Sequence, residues 1–201
     1  MAQSQSARVL ALAKRRPVIT AAEVTGAGIH SQHLTRLVAG GVLDRIARGQ
    51  YRLAGRSITE HHGLVIAARA APRGVICLLS ALAFHGVGTQ LPAEVWIAIG
   101  RGARQPSVQN PPLRVIRMSG SAFTEGIETH QVEGQPVRVY GVAKTVADLF
   151  KHRSKVGLDV AIEALRESWR ERQFTMDALD RAARVCRVSR VIAPYVEAVV
   201  A

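Results

Sequence analysis

The stretch from residue 26 to residue 53, GAGIHSQHLTRLVAGGVLDRIARGQYRL, restricts the fold more than any other part of the chain. Two glycines open it, a short apolar-periodic segment follows, Gly40 and Gly41 close that segment, and an alternating stretch then turns back at Gly49. Glycine adopts left-handed backbone at no steric cost, so Gly26 and Gly28 permit a tight turn, while Gly40 and Gly41 end a helix. Ser31 is positioned to cap that helix, whose apolar face is Leu34, Leu37 and Val38. The opposite face carries Gln32, His33, Thr35 and Arg36. In LDRIARGQYRL, Leu43 and Ile46 are expected to turn to a core, with Arg45 and Arg48 outside, Gly49 at the tip, and Tyr51 and Leu53 bringing the return strand back.

Upstream of this stretch, the spacing predicts two more helices. In SQSARVLALAKRR an apolar stripe of Ala7, Leu10, Ala11 and Ala13 predicts a helix that stops before Pro17. After a short extended link, Thr20 and Glu23 stand three apart as a capping box opening a very short helix over AAEV. Helix, short helix, glycine turn, helix and hairpin is the order of a winged helix-turn-helix, whose third helix enters the DNA major groove while the hairpin reaches adjacent backbone. The residues expected to face DNA are Ser31, Gln32, His33, Thr35 and Arg36 on the helix, with Arg45, Arg48, Gln50 and Arg52 on the hairpin.

The charge agrees with a polyanionic partner. Across 201 residues the formal net charge is +12, and residues 1–56 hold nine Lys/Arg against two acids, compared with eighteen against thirteen in residues 57–201. A boundary at 56/57 falls in the polar stretch AGRSITEHHG and divides the chain into an N-terminal and a C-terminal domain. No apolar run approaches the roughly 20 residues of a membrane span and the N-terminus has no apolar signal core, which predicts a cytoplasmic protein with no membrane partner.

Residues 57–201 predict an α/β unit with a small, mostly antiparallel sheet, making the whole chain α+β. Helices are expected over EHHGLVIAARAA and LLSALAFHG, strands over AEVWIAIG, PLRVIRM, IETHQV and PVRVYGV, and four helices after them. Pro194 predicts that the last helix starts late or kinks.

Evidence for catalysis is thin. IGRGARQ has Gln105 where a dinucleotide loop needs its third glycine, and Pro106 follows where a helix should begin. Neither GxxxxGK[ST], HExxH nor GxSxG occurs. Lys144, Thr145 and Asp148 could form a reactive cluster, but an exposed cap, with Asp148 holding backbone or an arginine, accounts for them equally well. Cys77 and Cys186 lack CxxC spacing and read as buried small hydrophobes. His30 and His33 stand three apart without a third ligand nearby, and His85 and His130 read as satisfied single histidines. Accordingly no catalytic residue, metal or cofactor is expected, and the chain is not expected to be an enzyme.

Four segments in order, ITAAEVTGAGIHSQHLTRLVAGGVLDRIARGQYRLAG, LLSALAFHGV, PAEVWIAIGRGAR and VYGVAKTVADLFKHR, resemble the AbiEi antitoxins of bacterial type IV toxin-antitoxin systems. The resemblance covers nearly the whole chain. It implies an N-terminal domain that binds inverted repeats of double-stranded DNA in its own promoter and represses the operon, often with cooperative self-association on DNA. It also implies a C-terminal domain that counteracts a nucleotidyltransferase-like toxin without a stable complex. Gln32, His33, Thr35 and Arg36 match the recognition helix, and Arg48 and Arg52 the wing. Related chains also act as solitary regulators. A nucleic-acid-modifying enzyme with the winged helix as docking module, or a protein-binding winged helix, are the remaining readings.

Overall fold

The computed structural model describes residues 4–16, 18–54, 59–108 and 110–200. The chain divides into two compact units, Met1–His62 with Gln131–Gln135, and Gly63–His130 with Pro136–Ala201. The expected boundary at 56/57, and Pro17, lie outside the described residues.

In the first unit, α1 (Gln5–Arg15) is capped by the Ser4 hydroxyl, which accepts from the Ala7 amide. Its inward stripe matches the expected one in part. Val9 and Ala13 are buried and Leu10 and Leu12 pack beside them, whereas Ala7 and Ala11 are exposed. Leu10 and Ala13 of the expected stripe are kept, and Val9 and Leu12 take the places of Ala7 and Ala11, because valine and leucine bury more apolar area than alanine. Arg16 is extended, ending the helix where expected. Ile19–Thr20, expected as a mere link, is a short strand, β1. α2 (Ala21–Gly26) has the expected capping box: Thr20 Oγ1 accepts from the Glu23 amide at 3.1 Å, and Glu23 Oε2 accepts from the Thr20 amide at 2.7 Å. α3 (Gln32–Ala39) follows, then β2 (Leu43–Ala47) and β3 (Gln50–Leu53).

The three strands form an antiparallel sheet in the order β1-β3-β2. Val9, Ala13, Ile19, Val24, Ile29, Leu34, Leu37 and Leu43 make one core, with Tyr51 and Leu53 packed against it. Three helices and a three-stranded wing around one apolar core constitute the expected winged helix-turn-helix.

The second unit holds a five-stranded sheet in the order β6-β5-β4-β8-β7. Its strands are β4 (Val75–Ile76), β5 (Val95–Gly100), β6 (Leu113–Met118), β7 (Ile127–Val132) and β8 (Gln135–Tyr140). Pairing is mixed: β4 runs antiparallel to β5, but β5 pairs parallel with β6 and β4 parallel with β8. The mostly antiparallel expectation therefore gives way to a mixed sheet, because the connection from Arg101 to Pro112 is long enough to return the chain in the same direction. β4, which had not been expected, is the central strand, and its two residues are too few to show a period.

α4 (His62–Ala70) and α5 (Leu78–His85) precede β5, α5 ending on Gly86 in left-handed geometry, and α6 (Ser121–Thr124) follows β6. After the sheet come α7 (Val142–Lys151), α8 (Arg153–Val156), α9 (Leu158–Arg170), α10 (Met176–Cys186) and α11 (Ser189–Val200). α11 begins at Ser189 and contains Pro194, so it does not start late. Every residue of α7 from Lys144 to Phe150 is buried, and the helix packs against α5, α9 and α10. It is the axis of the larger core.

Candidate nucleic-acid interface

α3 divides as its spacing requires. Leu34 and Leu37 are buried and Val38 is half-buried, leaving Gln32, Thr35 and Arg36 exposed at i, i+3 and i+4 on one outward face. A glutamine amide can bond an adenine edge in two places and a guanidinium a guanine edge or a phosphate, so the chemistry of this face suits contact with a nucleic acid.

Of the expected helix set, Ser31 does not cap the helix and His33 is placed differently. Ser31 is exposed, but its backbone is already helical (φ −58°, ψ −22°) and its hydroxyl caps nothing. The first turn is instead closed by the His33 amide on the His30 carbonyl (3.1 Å) and the Leu34 amide on the Ser31 carbonyl (2.9 Å), while the Gln32 amide donates to His30 Nδ1 at 3.2 Å. His33 is half-buried, its Nδ1 3.0 Å from Ser6 Oγ on α1. It joins two helices and is not freely presented with Gln32 and Arg36. No cluster of three His, Cys, Asp or Glu side chains suited to a metal occurs among the described residues.

The α1 to α2–α3 geometry is held from a position the sequence reading missed. Arg8 donates to the Ala27 carbonyl at 2.9 Å, pinning the turn between α2 and α3.

In the wing, Leu43 is buried, but Ile46 does not join it. The β2–β3 register shifts between Arg45 and Ala47, so Ile46 is an extra residue in a bulge and stays half-buried. Arg45 and Arg48 are exposed and neither has an ion-pair partner among the described residues. Gly49, at the tip, takes φ +73°, a conformation in which a side chain would be strained. Gln50 is half-buried, paired across to Thr20 of β1 and Ala47 of β2. Arg52 is opposite Asp44, and its Nε donates to Asp44 Oδ2 at 3.2 Å. The free positive charge of the wing is thus at Arg45 and Arg48, with Arg52 partly neutralised.

The C-terminal trio is not an exposed cap. Lys144, Thr145 and Asp148 are all buried, and Lys144 Nζ donates to Asp148 Oδ2 at 2.5 Å. Cys186 Sγ donates to Asp148 Oδ1 at 3.1 Å, Thr145 Oγ1 donates to the Tyr140 carbonyl at 3.1 Å, and the Lys144 ammonium lies 4.2 Å from the Tyr140 ring centre. Their i, i+4 spacing brings both charges together within the buried stretch of α7 from Lys144 to Phe150, where they pair with each other. Burial, then the nearby Asp148 charge, pushes the Cys186 thiol up to about 12 and raises Cys77 well above its ordinary range. Both cysteines are free and buried, as expected. His85 bonds the Tyr140 carbonyl at 2.9 Å and His130 bonds Glu128 at 3.0 Å. No helix among the described residues is long and apolar enough to cross a membrane.

Comparison with known proteins adds three findings. No curated protein matches the sequence. The crystal structure of the RV2827C protein from Mycobacterium tuberculosis matches with a TM-score of 0.60 at 14% identity, covering 97% of this chain and 78% of that one, which shows a shared fold. Residues 7–54, which hold the helices and wing just described, match the family model described as transcriptional regulator, AbiEi antitoxin, and the match supports a DNA-binding regulator role.

Proposed function

We propose that this protein is a sequence-specific DNA-binding autorepressor, the antitoxin of a type IV toxin-antitoxin module, acting in the cytoplasm by binding and not by catalysis. The observation that carries the reading is the exposed face of Gln32, Thr35 and Arg36 on α3, accompanied on the wing by exposed Arg45 and Arg48, which have no ion-pair partner among the described residues. Arginine-phosphate contacts supply affinity that salt weakens, and the α3 face chooses the sequence. The target is an inverted repeat of double-stranded DNA in its own promoter, which two copies occupy cooperatively. Residues 63–130 and 136–201 supply the activity against a nucleotidyltransferase-like toxin, without a stable complex. The buried ion pair of Lys144 and Asp148 serves that unit as part of its core.

The test is a reporter gene driven by the DNA upstream of the chain's own start codon. Supplying the protein should repress the reporter, and an Arg36→Ala/Arg48→Ala variant should not. Growth arrest on expressing the neighbouring gene, relieved by this chain, supports the antitoxin; repression without any such gene identifies a solitary regulator. Unchanged reporter output with intact protein would refute both.

A further inference from the structure

The second unit contains a basic cavity that the regulator reading leaves unused. It encloses about 510 Å³ and is built from the turn before β4, the carboxyl end of β5 with the chain following it, and Phe123 of α6. Three arginines line it, Arg73, Arg101 and Arg104, and no carboxylate does. All three are exposed and none has an ion-pair partner among the described residues.

Two further arginines hold this arrangement in place. Arg117 donates to the carbonyls of Arg101 (2.9 Å) and Ala103 (2.8 Å), and Arg138 donates to the carbonyl of Arg73 at 2.9 Å. One guanidinium nitrogen of each, Nη1, is engaged with the backbone, fixing the segments from which Arg73, Arg101 and Arg104 project. The remaining wall is apolar, with Ala71, Ile99 and the Phe123 ring. Phe123 is itself fixed, its carbonyl accepting from the Tyr140 hydroxyl at 2.7 Å. Because β5 and β6 run parallel, their carboxyl ends share one edge of the sheet, the edge at which open α/β sheets bind ligands.

We infer that this cavity binds a nucleotide, with the phosphates on Arg73, Arg101 and Arg104 and the base against Ile99 and Phe123. Unopposed guanidinium groups pair with phosphate in two places at once, and an apolar wall with one aromatic ring accepts the face of any base. The volume falls within the roughly 300–1,000 Å³ of small-ligand sites. Residues 103–108 are not helical, so no helix N-terminus there adds its amides to the arginine side chains. The shared chemistry, a phosphorylated base, has two sources: a free nucleoside triphosphate, or the 5′-phosphorylated end of a single strand.

Calorimetric titration of the full chain with ATP, adenosine, tripolyphosphate and a 5′-phosphorylated tetranucleotide tests this. ATP should bind, adenosine should bind roughly tenfold or more weakly, and Arg101→Ala/Arg104→Ala should weaken ATP roughly tenfold or more, the effect of losing charge-assisted hydrogen bonds. Arg48→Ala/Arg52→Ala, in the wing, should leave ATP binding within about twofold, since these arginines do not line the cavity. Phe123→Leu should weaken ATP but not tripolyphosphate. ATP binding more tightly than the tetranucleotide identifies the free nucleotide as ligand, and the reverse identifies the strand end. Equal losses in the wing and cavity variants, or adenosine matching ATP, would overturn the inference. Both results are independent of whether the wing binds promoter DNA.

Discussion

Arg52 Nε donates to Asp44 Oδ2 at 3.2 Å across the wing, while Arg48, four residues earlier at the tip, has no acidic partner among the described residues. A guanidinium already facing a carboxylate releases fewer counterions on meeting a phosphate than a free one. Arg48→Ala should therefore weaken binding to all DNA sequences and lower the salt slope by about 1. Arg52→Ala should change that slope by much less. Anisotropy titrations at several salt concentrations separate the two.

Gln32 stands at the exposed start of α3, where a side chain that reads bases acts on choice of sequence more than on total affinity. Gln32→Ala should reduce discrimination between the operator and a single-base variant by about 1–3 kcal/mol. Its affinity for scrambled DNA should stay close to that of the parent. Competition titrations with matched and mismatched duplexes measure both.

The buried Lys144–Asp148 pair predicts an asymmetry between single and double variants. Lys144→Met leaves a carboxylate inside the core and should cost about 3–5 kcal/mol. Lys144→Met/Asp148→Leu removes both charges and should recover most of that loss. Trp96 and Trp169 are the two tryptophans of the chain and both lie in this unit, so urea unfolding followed by tryptophan fluorescence reports on it.

Cys186 couples this same site to alkaline pH. Its thiol is raised from the ordinary 9.0 to about 12 by burial and the neighbouring Asp148, so between those values the folded state holds a proton that the unfolded state has released. The corresponding stability is fully present below pH 9.0 and is lost as pH rises toward 12. Urea midpoints should fall over that window, and Cys186→Ser should reduce the fall. Native protein at pH 8 should resist thiol alkylation, whereas urea-unfolded protein should react at both cysteines.

Much of the first unit was legible because its signals are local. The capping box of Thr20 and Glu23, the apolar face of α3 and the turn at Gly49 each depend on residues within four positions of one another. Tertiary choices were not. Val9 and Leu12 displaced Ala7 and Ala11 from the stripe of α1 because bulk competes with regular spacing, and Ile46 left the core because a bulge changes the strand's parity. In the second unit, two-residue β4 carries no period, yet it joins the two halves of the sheet. The depth of Lys144 and Asp148 was hidden for a related reason: a helix buried on every side loses the polar face that would mark its charges as inward.

At the candidate site, Gln32, Thr35, Arg36, Arg45 and Arg48 were foreseeable as exposed groups from spacing alone. The engagements of His33 with Ser6 and of Arg52 with Asp44 depend on partners in other elements or strands, which spacing does not reveal. The cavity arginines come from two separate stretches, 73 and 101–104, and meet only in the folded sheet.

The central claim is sequence-specific DNA binding, and a gel-shift titration of the full chain against the DNA upstream of its own start codon tests it most directly, with scrambled duplex as competitor and salt varied. The account predicts discrete shifted bands that scrambled DNA fails to compete away and that weaken steeply with salt. Equal competition by the scrambled duplex would contradict it, leaving a basic domain that binds DNA without choosing its sequence.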